Sequence, residues 1–264
     1  MNSSRPSWTR ALVDLAKGAG DLLLPATCPA CQEYPPTLDG LCESCATERL
    51  TLLALPYCPR CGMTLGPGVP ANPGGCGKCP TPMPRFSRTV RLGPYAGPLR
   101  NAVRHLKFHR GDILSSAATQ QLALAVQAAE DLHDLDVVVP IPAHWRRRFA
   151  RGRDHSGLLA RRLARHLGLP VQPLLVRTRS TPPQTHLSRT ARIANVRNAF
   201  TTRDPAAISG SNVLLVDDVT TTGATANECA RALLKGGAKS VTLAVLAKSE
   251  PRDAYAEYLP QRDS

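Results

Sequence analysis

The most chemically informative stretch of the sequence is Val213–Thr225, which joins two adjacent carboxylates to a hydroxyl-rich loop. Asp217 and Asp218 end an apolar run typical of a buried strand. Backbone amides at a following helix start, with a glycine that permits close approach, form a cradle for an anion. Phosphate would repel the carboxylates, so we expect them to face sugar hydroxyls or a Mg²⁺ shell. The pattern predicts a site for a phosphorylated pentose, with its phosphate on Thr221, Thr222, Gly223, Ala224 and Thr225.

A simple acidic strand end with a threonine-rich helix cap is the alternative for this stretch. The complete pattern of strand, carboxylate pair, glycine-containing loop and helix favours the binding site. The loop is not a Walker A loop, because the sequence contains no GxxxxGK[ST].

Eight of the nine cysteines form four CxxC pairs, and such pairs place two thiolates on one side of a tight turn. Two pairs fill one zinc site with four cysteine ligands and leave no position for water, so we expect two structural zinc sites. The short spacings within the first two and the last two pairs favour sequential pairing, while interleaved pairing stays open. Disulfides are the weaker alternative in a chain without an evident export signal. The eight ligands are Cys28, Cys31, Cys42, Cys45, Cys58, Cys61, Cys76 and Cys79, and Cys229 is expected in the core.

The positive charge of the chain is concentrated in one region. The formal net charge is +13, from 33 Lys and Arg against 20 Asp and Glu. Residues 143–203 contain fourteen Arg, no Lys and a single acid, Asp154. The planar guanidinium suits bidentate contacts with phosphate oxygens, so this region predicts an anionic ligand, either nucleotide-like or nucleic acid. Aromatic residues make up only 4%, which argues against an extended base-stacking platform.

Other features of the sequence limit location and architecture. No apolar run is long enough to span a membrane, and charges interrupt the N-terminal apolar pattern, so we expect a cytoplasmic protein without a membrane span. Short apolar strands that alternate with helices predict an α/β fold with a parallel sheet. We expect strands over 88–95, 136–141, 212–217 and 240–247, a short one over 171–176, and helices over 98–108, 113–132, 155–168 and 223–235. Residues 177–200 show no clear periodicity of apolar residues, so we expect a long loop there.

Composition divides the chain into four parts. Residues 1–24 predict an amphipathic helix, residues 25–84 a double zinc ribbon, residues 85–250 the α/β domain, and residues 251–264 a loose polar tail.

Val213–Thr225 resembles the phosphoribosyl pyrophosphate (PRPP) motif of type I phosphoribosyltransferases, and the order of motifs from Cys28 to Ala247 resembles the ComF/GntX competence family. This resemblance implies the type I phosphoribosyltransferase fold with a small N-terminal zinc-ribbon domain. The matching stretches are the CxxC pairs, Tyr95–Leu99, Leu106–Phe108, Val139–Pro142, Arg151–Gly152, Gln184, Leu187, Arg189, Arg192, Asn195, Val196 and Asn198–Phe200.

The resemblance also implies roles for individual residues. Asp217 and Asp218 hold the ribose hydroxyls and are the catalytic candidates, and the loop to Thr225 holds the 5′-phosphate. The turn with Ala143 and His144 resembles the pyrophosphate loop, to which Arg147, Arg151 and Gly152 are added. The segment with Gln184, Arg189, Arg192 and Asn195 resembles the flexible loop that closes over PRPP. The chain departs from the family at Arg153-Asp154-His155, where relatives have Phe-Asn-Gln.

The implied function is PRPP binding, with Mg²⁺, in a protein of natural transformation that handles incoming single-stranded DNA. Phosphoribosyl transfer is favoured, and a competence helicase is a possible partner. The alternative is a Mg²⁺-dependent phosphoribosyltransferase that acts on an unidentified base or small acceptor without DNA.

Overall fold

The computed structural model describes residues 27–28, 30–32, 41–108, 113–129, 134–142, 154–179 and 188–259. The chain forms two compact units, residues 1–47 and residues 48–264. The expected amphipathic helix over residues 1–24 lies outside the described residues. Among those that are described, no helix has the length and apolar character needed to cross a bilayer.

Helices and strands alternate along most of the described chain, as predicted. The helices are α1 (Glu43–Leu53), α2 (Gly97–Phe108), α3 (Ile113–Gln127), α4 (His155–Leu167), α5 (Arg189–Val196) and α6 (Ala224–Lys235). The strands are β1 (Arg88–Pro94), β2 (Val137–Pro140), β3 (Leu175–Arg177), β4 (Phe200–Thr202), β5 (Asn212–Thr220) and β6 (Ser240–Lys248). Short 3-10 turns occur at Ala206–Ile208, Arg252–Ala254 and Ala256–Tyr258.

Four strands form a parallel sheet in the order β1-β6-β5-β2, which confirms the predicted α/β fold. β3 and β4 form a separate antiparallel pair. Residues Val213–Val216 of β5 and Val241–Lys248 of β6 are buried, as expected for central strands covered by helices on both faces, whereas Asp217–Val219 of β5 are half-buried. Because all four strands run the same way, their carboxyl ends lie at one edge of the sheet.

The two faces of the sheet are covered by different helices. Val213, Leu215 and Leu243 point to a core cluster that includes Cys229 and Leu233 of α6. Side chains alternate along a strand, so Leu214 and its neighbours point to the opposite face. There α3 contacts β1 and β6, α4 contacts β5 and β2, and α3 contacts both α2 and α4. Cys229 is fully buried and burial raises the pKa of its thiol, which confirms its expected place in the core.

Two expectations about irregular segments were wrong. The predicted loop over 177–200 contains α5, and its two ends pair as β3 and β4. The expected loose tail is ordered over residues 251–259, where Tyr255 is buried against Leu52 and Leu55. Both segments gain their order from contacts with distant residues, which local periodicity does not reveal.

Candidate functional site

The eight CxxC cysteines form two clusters of four, and the structure confirms the sequential pairing. Cys28, Cys31, Cys42 and Cys45 form the first cluster, and Cys58, Cys61, Cys76 and Cys79 form the second. Sulfur pairs within the clusters, such as Cys31–Cys42 and Cys61–Cys76, are 3.7 Å apart. Four thiolates at about 2.3 Å from a tetrahedral zinc ion would be about 3.8 Å from one another. Both clusters therefore fit Zn²⁺.

The thiols within each cluster differ in acidity, because burial and hydrogen bonds affect each sulfur to a different extent. Burial opposes ionisation of Cys28, but backbone N–H groups that donate to its sulfur lower its pKa to about 6. Burial and the neighbouring thiols raise the pKa of Cys45 far above its ordinary value. Burial likewise raises the pKa of Cys61, whereas at Cys58 burial is outweighed by backbone donors, which lower the pKa. A bound dication supplies the charge that lets four thiolates coexist.

The second cluster is attached to the sheet by a buried ionic group. The guanidinium of Arg91 on β1 forms a fully buried ion pair with Glu250, at 3.0 Å, and donates to the hydroxyl of Thr64 at 2.6 Å. The N–H of Thr64 donates to the other carboxylate oxygen of Glu250 at 2.9 Å. Burial lowers the pKa of Arg91, and Glu250 opposes that shift. The residues next to the cysteine ligands are therefore joined to strand β1 and to the end of β6.

The two predicted catalytic carboxylates lie at the carboxyl end of β5, the usual ligand-binding edge of a parallel sheet. Oδ1 of Asp217 accepts a hydrogen bond from the hydroxyl of Ser156 at 2.8 Å and from the N–H of Asp218 at 2.9 Å. Oδ1 of Asp218 accepts from the N–H of Val219 at 2.6 Å. These bonds fix the carboxylates against the backbone.

The predicted phosphate loop follows directly and leads into α6. Gly223 caps this helix with φ of +76° and ψ of 0°, a left-handed conformation that favours glycine. The hydroxyl of Thr222 accepts from the N–H of Ala224 at 3.3 Å, and the buried Lys248 donates its ammonium to the carbonyl of Thr221. The loop is thus held at its start by β6 and at its end by the helix. Thr225 lies in the first turn of α6.

Hydrogen bonds join the two described ends of the predicted flexible loop to each other and attach one of them to α6. The guanidinium of Arg179 donates to the carbonyls of Asn195, at 3.1 Å, and Arg197, at 2.6 Å. The N–H of Asn198 donates to the carboxylate of Glu228 on α6 at 2.8 Å. Arg192 and Asn195 lie in α5, and both are half-buried. Arg189 begins α5, with only its backbone described, and Gln184 lies outside the described residues.

The predicted pyrophosphate loop lies outside the described residues: Ala143, His144, Arg147, Arg151 and Gly152. Of the three residues at which the chain departs from the family pattern, the structure describes Asp154 and His155. Asp154 is the N-cap of α4 and accepts from the N–H of Gly157 at 3.0 Å. A Cβ on Gly157 would lie 2.3 Å from that carboxylate, so the aspartate cap requires glycine there. The aspartate therefore has a structural role at the start of α4.

Sequence reasoning missed Ser156, Lys248 and Glu228. Ser156 contacts Asp217, Lys248 contacts the phosphate loop, and Glu228 contacts the base of the flexible loop. Only Lys248 had a signal in the sequence, because it is a lone charged residue at the end of an apolar strand. Ser156 and Glu228 look like ordinary helix residues, and their contacts depend on tertiary packing.

The carboxylates of Asp217 and Asp218 are hard oxygen donors that suit Mg²⁺, a cation usually bound by one or two carboxylates, waters and substrate phosphates. Their position beside a loop with N–H and hydroxyl donors fits a sugar phosphate together with such a cation. The site as described thus fits both parts of the predicted ligand.

Family models match both halves of this architecture. Residues 154–261 match the phosphoribosyl transferase domain, and residues 19–84 match the double zinc ribbon domain. The chain therefore has the type I phosphoribosyltransferase fold with an N-terminal double zinc ribbon.

Relatives identify the family more closely. The chain is 34% identical over 235 residues to DNA utilization protein YhgH of Salmonella typhi, covering 86% of this chain and 99% of that protein. It is 31% identical over 220 residues to competence protein F of Haemophilus influenzae, covering 80% and 91%. The protein belongs to this YhgH and competence protein F family, as its motif order had implied.

A solved structure of glutamine PRPP amidotransferase from Bacillus subtilis, complexed with ADP and GMP, is 22% identical. The match covers 55% of this chain and 30% of that chain, with a TM-score of 0.37.

Proposed function

We propose that this protein binds PRPP, together with Mg²⁺, at the carboxyl end of β5. The observation that carries the proposal is the arrangement at this edge: two fixed carboxylates lead into a loop that a left-handed glycine joins to a helix start. Asp217 and Asp218 hold the ribose hydroxyls, and the loop through Thr225 holds the 5′-phosphate on backbone N–H groups and hydroxyls.

The diphosphate is bound in this proposal by the loop with Ala143, His144, Arg147, Arg151 and Gly152. Gln184, Arg189, Arg192 and Asn195 then close over the ligand. Mg²⁺, held with Asp217 and Asp218, supplies neutralisation of the diphosphate charge when it is bound.

Calorimetric titration of PRPP, with and without Mg²⁺, tests the binding site. Wild-type protein is expected to bind PRPP with Mg²⁺, and the double variant Asp217→Asn/Asp218→Asn to bind at least about tenfold more weakly, because amides neither attract the cation nor accept as strongly from hydroxyls. Asp253→Asn removes one exposed carboxylate elsewhere and serves as the control. Equal affinity of the double variant and wild type would contradict the proposed site.

The biological role we propose is the handling of incoming single-stranded DNA in natural transformation. It is supported by the relatives' names, DNA utilization protein and competence protein, and by the arginine-rich composition of residues 143–203. Zinc-binding thiols suit a reducing compartment, and we place the protein in the cytoplasm. The relatives' names do not point to the helicase partner that the resemblance implied.

Single-stranded DNA binding is tested by titration with an oligonucleotide at several salt concentrations. Each phosphate contact contributes a slope of about −0.7 in log K against log salt, so several arginine contacts are expected to give a slope of about −3 to −6. A flat response would contradict the DNA role.

An assay of turnover tests the alternative function, which is phosphoribosyl transfer to a base or small acceptor without DNA. In that reaction the acceptor forms a bond to C1 of the ribose as the bond from C1 to the pyrophosphate oxygen breaks. Mg²⁺-dependent release of pyrophosphate with one acceptor, abolished in Asp217→Asn/Asp218→Asn, would support the enzyme. PRPP binding without release with any tested base or nucleic acid would favour a binding module.

A further inference from the structure

Three helices on one face of the sheet contain no acidic residue. These are α2, α3 and α4, and their sequences include neither Asp nor Glu. They form one continuous layer, because α3 contacts α2 on one side and α4 on the other. We call this surface the cationic helix layer. By contrast, α6 on the opposite face contains Glu228, which pairs with Arg231 at 3.0 Å.

Four exposed arginines form two pairs on this layer, each pair one helical turn apart. Arg100 and Arg104 lie on α2, and Arg161 and Arg165 lie on α4. None of the four forms an ion pair with another residue in the described part of the chain. Like charges at positions i and i+4 destabilise a helix, so helix stability does not account for them. A bound polyanion would remove that repulsion.

The neutral helix between the two pairs adds uncharged contacts. Gln120 is exposed on α3, and Leu124 on the same helix is 59% exposed. An amide and an apolar side chain can contact sugars and bases without reading their sequence, whereas exposed carboxylates would repel a phosphate chain.

The layer also begins at the candidate site. Ser156, in the first turn of α4, donates to Asp217 at the carboxyl end of β5. Arg161 and Arg165 follow along the same helix, at about 1.5 Å of rise per residue. A strand on this layer would therefore lead away from the proposed PRPP site.

We propose that the cationic helix layer is the surface that binds the phosphate backbone of single-stranded DNA, with contacts that are independent of sequence. This inference rests on the proposed DNA role and locates DNA binding on α2, α3 and α4. The binding surface therefore includes α2, which lies outside the arginine-rich stretch of residues 143–203.

The test compares two variants that each lose four positive charges, at different places on the surface. The first is Arg100→Gln/Arg104→Gln/Arg161→Gln/Arg165→Gln, in which glutamine keeps the helix propensity. The matched control is Arg85→Gln/Lys235→Gln/Lys239→Gln/Arg252→Gln, which changes four exposed residues that lie outside both the layer and the arginine-rich stretch. Zinc content and the thermal unfolding midpoint establish that both variants are folded.

Binding of an oligothymidine, measured by fluorescence anisotropy at several salt concentrations, is the readout. We expect the layer variant to bind at least about tenfold more weakly and its salt slope to become shallower by about 2 to 3, because each single-strand phosphate contact contributes about 0.7. The control variant should keep a slope close to that of wild type.

The possible results separate this inference from the proposed function. Equal losses in both variants would show that only total charge matters and would overturn the layer as the binding surface. Polyaspartate that competes as well as an oligonucleotide of equal charge would overturn it in favour of an acidic polypeptide. A wild-type protein that binds no DNA would overturn the proposed DNA role, and the inference with it.

Discussion

The two four-cysteine clusters have the same ligands but different attachments. The first is built by residues of the 1–47 unit, whereas the second belongs to the 48–264 unit. Around the second, Thr64 bonds to Glu250 and Arg91, and the hydroxyl of Tyr258 donates to the carbonyl of Leu65 at 2.9 Å. The first zinc site can thus stabilise its own segment, whereas the second site, with the same kind of ligands, can also support one edge of the sheet.

Removal of the second zinc site is expected to have the largest effect. Cys58→Ser/Cys61→Ser abolishes a site whose zinc contributes an apparent binding free energy of about 10–16 kcal/mol, part of which stabilises the sheet. We expect the thermal unfolding midpoint of the sheet domain to fall by about 10 °C or more, measured by calorimetry.

Cys28→Ser/Cys31→Ser is the matched control for that prediction. It also removes one of the two zinc ions, measured by metal analysis, but should leave the unfolding of residues 48–264 nearly unchanged. Equal falls of the midpoint in the two variants would contradict the difference between the clusters.

Removal of the buried carboxylate is expected to have the next largest effect. Glu250→Gln leaves the guanidinium of Arg91 buried without a counter-charge, which costs about 3–5 kcal/mol of unfolding free energy. Urea unfolding measures this loss, and Glu257→Gln, at an exposed position of the same segment, is the control. A loss below about 1 kcal/mol, as for a surface pair, would show that the ionic group does not hold the second cluster to the sheet.

Acidification is expected to have the smallest effect, and it acts on both clusters. Zinc binds thiolates, so each pH decrease returns protons to cysteines and weakens the zinc affinity. Cys45 and Cys61, whose pKa values are raised, must lose their protons to bind, and the zinc affinity of both clusters should therefore fall steadily as the pH is lowered through the neutral range. Chelator competition at several pH values measures this fall, and a pH-independent affinity would contradict thiolate ligation.

The sequence was sufficient where local pattern determines structure. The apolar runs of β5 and β6 predicted buried strands, the spacing of the CxxC pairs favoured the pairing that is observed, and the position of Asp217 after an apolar run placed it at the carboxyl end of its strand. Each of these features depends on residues that are close together in the chain.

The sequence was insufficient where order comes from distant contacts. α5 is short and polar, and it is held by Arg179 and Glu228, which lie outside it. The contact of Ser156 with Asp217 spans 61 residues, and no periodicity encodes it. Tyr255 looked like part of a polar tail and is buried instead.

The hydrogen bonds that attach the second cluster have a consequence for biosynthesis. Thr64 and Glu250 are 186 residues apart, and Leu65 and Tyr258 are 193 apart. During translation the cysteines of this cluster leave the ribosome long before these partners are made. The ribbon can therefore acquire its zinc early, but its attachment to the sheet must wait until Glu250 and Tyr258 have been synthesised. A polypeptide that stops before Glu250 would leave Arg91 without its counter-ion, so the synthesis of residues 250–258 is the step that allows the ribbon to be secured.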